Sequence, residues 1–107
     1  MQVFVSLPMK GKTEEEILSE IERVKMLLEK KFKREPIEII DSYLPNYNPV
    51  EKHPGLKFLS KSLLYLDKAD LAYFVKGFRQ ARGCLIEYEA AESYGIENII
   101  VEEDEEE

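Results

Sequence analysis

Leu71-Ala72-Tyr73-Phe74-Val75-Lys76-Gly77-Phe78-Arg79-Gln80-Ala81-Arg82-Gly83-Cys84-Leu85-Ile86-Glu87-Tyr88-Glu89-Ala90-Ala91 is the stretch whose reading decides the fold. Residues 71–75 are a continuous apolar run rather than an alternating one, the pattern of a strand covered on both faces. A loop over 77–82 follows, then a helix over 83–94 that Gly95 terminates. At about 100° per residue, Cys84, Ala90, Ala91 and Tyr94 fall on the side of Glu87, while Glu89 and Glu92 point well away. One glutamate therefore faces the body of the protein and two face water. Behind a glycine that lets a ligand approach, such a carboxylate fits a nucleophile or base. The plainer reading is a glutamate that complements the positive end of its helix.

Working outward, residues 2–6 form a short apolar run and read as a buried strand. Thr13 with Glu16 three residues later is a capping box, and Ile17, Ile21, Val24 and Leu28 continue at helical spacing to about residue 34. Pro36 stops that helix, and residues 37–40 make a second strand. Residues 42–55 hold Pro45, Pro49 and Pro54 without periodicity and read as a long loop, in which Tyr43, Tyr47 and His53 are candidates to cover a ligand. Leu59, Leu63 and Leu66 mark another helix ending near residue 67, Asp70 bounds the third strand, and residues 98–101 form the last. Strand and helix alternate throughout, which predicts a small doubly wound, flavodoxin-like α/β domain. Its parallel sheet has four or five strands, with right-handed crossovers giving the order 2-1-3-4. Ligands of such sheets bind beyond the carboxyl ends of the strands at the switch point. Here that lies between the first and third strands, at the loops over 6–12 and 76–83.

A chain of 107 residues fits one domain, read as residues 1–101 followed by an acidic tail over 102–107. That tail supplies six charges against a net charge of −7, so the remainder is close to neutral and the tail reads as a frayed, solubilising end. No basic stripe tracks a polyanion, so no nucleic-acid polymer is expected as partner. No apolar run reaches membrane-spanning length and none resembles a signal peptide, so the expectation is a cytoplasmic protein with no membrane partner. Cys84 stands alone, which suits a reducing compartment. One cysteine and one histidine far apart argue against structural zinc, and no metal or cofactor is expected. A receiver domain would need acids where Ser6-Leu7-Pro8 and Lys76-Gly77 stand. Flavin binding would need a Ser/Thr-rich loop after the first strand.

Taken together, Ser6-Leu7-Pro8-Met9-Lys10-Gly11 and Arg82-Gly83-Cys84-Leu85-Ile86-Glu87-Tyr88-Glu89-Ala90-Ala91 carry a resemblance. The chain resembles the nucleoside 2-deoxyribosyltransferase-like superfamily, most nearly its small phage and prophage members, from residue 1 to about residue 101. The resemblance implies a Ser-Gly-Pro-like loop lining a nucleoside or nucleotide site and a Gly-x-x-x-Glu helix whose glutamate attacks the sugar. Glu87 matches that nucleophile and Gly83 the glycine opening its helix; Ser6, Pro8, Met9 and Gly11 match the loop. Leu7 stands where a glycine is usual, and Gln80-Ala81-Arg82 stands where an aspartate normally precedes the helix. The implied function is cleavage of an N-glycosidic bond or 2-deoxyribosyl transfer. The missing aspartate leaves a non-catalytic nucleotide-binding protein as the alternative.

Arg79 and Arg82 flank the site loop and are candidates to grip a 5′-phosphate by bidentate hydrogen bonds, with Lys10 and Lys12 opposite. Cys84, with no His or Asp partner at a recognisable spacing, reads as packing. A chain this short exposes much of its surface, and the resembled superfamily is oligomeric, so a homodimer or larger assembly is expected.

Overall fold

The computed structural model describes residues 1–41 and 53–103. Its elements run in the order β1 (Gln2–Ser6), α1 (Glu14–Lys31), β2 (Glu38–Ile39), α2 (Pro54–Leu66), β3 (Leu71–Phe74), α3 (Arg82–Ser93) and β4 (Asn98–Val101). A short 3-10 turn at Phe78–Gln80 lies between β3 and α3. The strands form one parallel sheet ordered β2-β1-β3-β4, the expected flavodoxin-like arrangement. In register, Val3 pairs with Leu71 and Ser6 with Phe74, and Phe74 pairs in turn with Val101. The carboxyl ends of β1, β3 and β4 are thus level.

Alternation along each strand assigns residues to one of two hydrophobic layers. Val3 and Val5 of β1, with Leu71 and Tyr73 of β3, pack with Ile17, Val24 and Leu28 of α1. Phe4, Ala72 and Phe74 face the other way, onto Leu66 of α2 and Cys84 and Ala91 of α3. Both central strands are buried on both faces, which is why residues 3–5 and 71–74 run apolar without a break. Phe74, Phe78 and Tyr88 form a three-ring cluster with centroids 5.2–5.4 Å apart. Each fully buried phenylalanine contributes roughly 1.5–3 kcal/mol, so the cluster fastens the start of α3 to β3.

Local chemistry explains the helix ends. Thr13 Oγ1 accepts from the Glu16 amide at 3.1 Å and Glu16 Oε1 accepts from the Thr13 amide at 3.3 Å, completing the capping box. α1 ends at Lys31, earlier than Pro36 alone would dictate, because Phe32 leaves helical geometry and packs against the core. Asp70 accepts from the Gln2 amide at 2.7 Å, the strand-boundary role read from the sequence.

Three further expectations are revised. Pro54 and Gly55 belong to α2 rather than to a loop, while residues 42–52, including Tyr43 and Tyr47, lie outside the described residues. Tyr94 does not share the inward face of α3. The helix ends at Ser93, and Tyr94 is 87% exposed at its C-cap. Glu102 is not the first residue of a free tail. Its amide donates to the Phe74 carbonyl at 2.9 Å, and its carboxylate accepts from the Arg23 guanidinium at 3.0 and 3.2 Å, the Lys76 amide at 3.0 Å and the Tyr73 hydroxyl. Residues 104–107 lie outside the described residues.

Candidate functional site

The chain after β1 and the start of α3 meet at the switch point. Gly77, with φ 92°, turns the chain out of β3, a conformation that disfavours any side chain. The chain then passes through the 3-10 turn into α3. Ala81, the N-cap residue, makes no side-chain capping bond, so the first amides of α3 are not capped by a side chain there. A cavity of about 180 Å³ opens beside this helix start. Ser6, Pro8 and Met9 line it from the β1 side, Gly83, Cys84 and Glu87 from α3, and Phe58, Leu59 and Ser62 from α2. A Cβ added at Gly83 would meet no atom within 4 Å, so the glycine leaves open space at the cavity wall.

Among the described residues, Glu87 is the carboxyl of this wall. It lies in the second turn of α3 on a buried stripe with Cys84 and Ala91, and it is only 7% exposed. Ser6 Oγ donates to Glu87 Oε1 at 2.8 Å, and Ser62 Oγ donates to Glu87 Oε2. Among the described residues no cation stands within ion-pair distance of it. Burial pushes the carboxyl above its usual range, and the two hydroxyls oppose that shift without cancelling it. Burial likewise pushes the Cys84 thiol up to about 11, so it is protonated near neutrality and acts as packing.

The structure gathers Ser6, Pro8, Met9, Gly83 and Glu87 around one cavity and leaves the other candidates outside its lining. Gly11 turns at φ 81° with exposed Lys10 beside it. Lys12 comes near enough for its charge to favour the Cys84 thiolate. Arg79 lies 4.6 Å over the Phe78 ring and 3.4 Å from Glu103. Arg82 is the exposed first residue of α3. His53 is exposed just before α2 and makes no capping bond with its side chain.

Ser62 was missed by the sequence reading. Its signal was a small polar residue between Leu59 and Leu66 at helical spacing, on the face that Leu66 buries. The arrangement offers one carboxyl held in plane by hydroxyls, in a largely apolar cavity sized for part of a small molecule. Among the described residues no cluster of His, Cys, Asp or Glu has the makings of a metal site. No helix among them is long and apolar enough to cross a membrane. Comparison of the chain with family models, curated proteins and solved structures finds no significant match.

Proposed function

We propose that the protein binds a nucleoside or nucleotide at the β1–β3 switch point and cleaves its N-glycosidic bond, or transfers its 2-deoxyribosyl group, with Glu87 as nucleophile. The observation that supports this most is the buried Glu87 carboxyl in the cavity wall, with a serine hydroxyl on each oxygen. In its charged form the carboxylate bonds to the anomeric carbon as the carbon–nitrogen bond breaks, the electron pair leaving with the base. The departing base takes up a proton. Water then releases the sugar and restores Glu87, or a second base takes the sugar in transfer. The apolar wall formed by Phe58, Leu59, Pro8 and Met9 suits the flat face of a base or sugar.

Two observations favour a second reading, a non-catalytic nucleotide-binding protein. Burial holds Glu87 towards its neutral form, which does not attack, and among the described residues no second carboxylate lines the cavity. A single pair of measurements separates the two. Under the first reading, deoxynucleosides or their monophosphates release free base, detected by chromatography, and Glu87→Gln abolishes the release. Under the second, both forms bind nucleotide in a titration and neither releases base. No binding and no release would reject both.

A further inference from the structure

We infer that Ser62 is the positioning residue for Glu87: its hydroxyl, delivered by α2, fixes the plane of the carboxyl and sustains its charged form. This rests on the reading of Glu87 as a nucleophile. Two serines on one helix make the case. Ser60, exposed, turns its hydroxyl back to the Lys57 carbonyl at 2.7 Å, the ordinary local bond of a helical serine. Ser62, two residues on and 5% exposed, instead reaches across 25 residues of sequence to Glu87 Oε2. The same local alternative is open to it, yet its hydroxyl serves the carboxyl.

The geometry gives this bond a specific effect. Ser6 holds one carboxyl oxygen and Ser62 the other, so rotating the carboxylate sacrifices both bonds. With no cation paired to Glu87 among the described residues, these hydroxyls are its main local support as an anion. Of the elements packed around it, β1 contributes Ser6 and α2 contributes Ser62, neither of which titrates near neutrality. On α3 the neighbouring titratable group is Cys84, whose thiol is felt by Lys12 and Glu87. Ser6 belongs to the strand that shapes the cavity, whereas Ser62 comes from a separate helix. Its hydroxyl can be deleted with that strand intact.

The experiment is a pH titration of the Glu87 carboxyl by carbon-13 NMR in the full chain, wild type against Ser62→Ala, with Ser62→Thr as rescue. Ser62 is a lining residue of the cavity, and threonine keeps its hydroxyl while adding one methyl. Ser62→Ala should move the midpoint of Glu87 upward and Ser62→Thr should return it. In the base-release assay, Ser62→Ala should lower kcat about tenfold at the acid end of the profile and leave KM within about twofold. An unmoved midpoint in folded Ser62→Ala, a Ser62→Thr protein that titrates like Ser62→Ala, or a loss confined to KM would each overturn the assignment. If Ser62→Ala does not fold, Ser62→Cys, similar in size but a weak donor, takes its place with the same upward shift expected. If even the wild type releases no base, the nucleophile reading fails, and the carboxyl titration still decides what Ser62 does.

Discussion

Ser6 and Glu87, 81 residues apart in sequence, meet through a 2.8 Å hydrogen bond that ties the carboxyl end of β1 to the second turn of α3. Ser6 follows Phe4 on the strand face that looks towards α2 and α3, so backbone alternation alone aims its hydroxyl at the helix. Glu87 follows Cys84 by three residues and precedes Ala91 by four, so helical periodicity alone aims its carboxyl at the strand. Two local rules converge on one contact, and the cavity forms around it.

Glu87→Gln tests this contact through stability as well as activity. Burial raises the carboxyl above its unfolded value of about 4.3, so its neutral form is favoured in the folded protein. That contribution is complete below the unfolded value and is lost as pH rises through the folded one. Urea melts across this range should show the wild type losing ground to Glu87→Gln as pH rises. The variant should end equal to or more stable than the wild type at neutral pH, while releasing no base. A variant that becomes less stable relative to wild type with rising pH would contradict the assigned environment.

Glu102 behaves oppositely. Burial works against its charge, but Arg23, Tyr73 and the Lys76 amide outweigh it and hold the carboxyl below its usual range. This stabilisation is present above the unfolded carboxylate value and is lost as pH falls through the folded one. Glu102→Gln should cost about 1–2 kcal/mol at neutral pH and less in acid. Deleting residues 103–107 should change the melting temperature little, because the Arg79–Glu103 contact is exposed. Equal losses from the two changes would show that the whole acidic run is docked.

Gly83→Ala separates fold from site. The position has no crowding atom within 4 Å and no left-handed backbone. Alanine should therefore raise stability by about 0.4–1 kcal/mol while its methyl narrows the cavity and weakens ligand binding. Calorimetric titration beside a thermal melt reads both; unchanged affinity would place the ligand away from the helix start.

The two arginines should differ. Arg79 is engaged with Phe78 and Glu103, whereas Arg82 opens α3 and is exposed. Arg82→Ala should weaken a nucleoside monophosphate more than the matching nucleoside, and Arg79→Ala should weaken neither appreciably. The reverse ranking would mean that Arg79 leaves Glu103 to take the phosphate.

Self-association is expected through helix surface. Leu56 and Leu64 of α2 are 65% and 69% exposed, and Leu85 and Ile86 of α3 are partly exposed. Sedimentation at micromolar concentration should give a dimer or larger, and a monomer would refute it.

The sheet order was legible because unbroken apolar runs at 3–5 and 71–75 admit few strand environments. Glu87 was legible because Cys84 and Ala91 flank it at helical spacing. Tyr94 misled because periodicity does not report where a helix stops. Ser62 escaped because one serine in a leucine stripe looks neutral until its partner from another helix is placed. Glu102 escaped for a related reason: six acids in a row read as one solvated unit, yet the first is gripped by Arg23, which is remote in sequence.

The two-sided packing of β1 implies an asymmetry in what this chain tolerates during divergence. Residue swaps of similar bulk at Val3, Phe4 or Val5 disturb one layer locally. A single-residue deletion there shifts the frame of the following residues, turning Ser6 towards α1 and bringing Leu7 into its place beside Glu87. Drift in this strand is thus permitted by substitution and closed to insertion or deletion, because one reading frame serves both the core and the carboxyl.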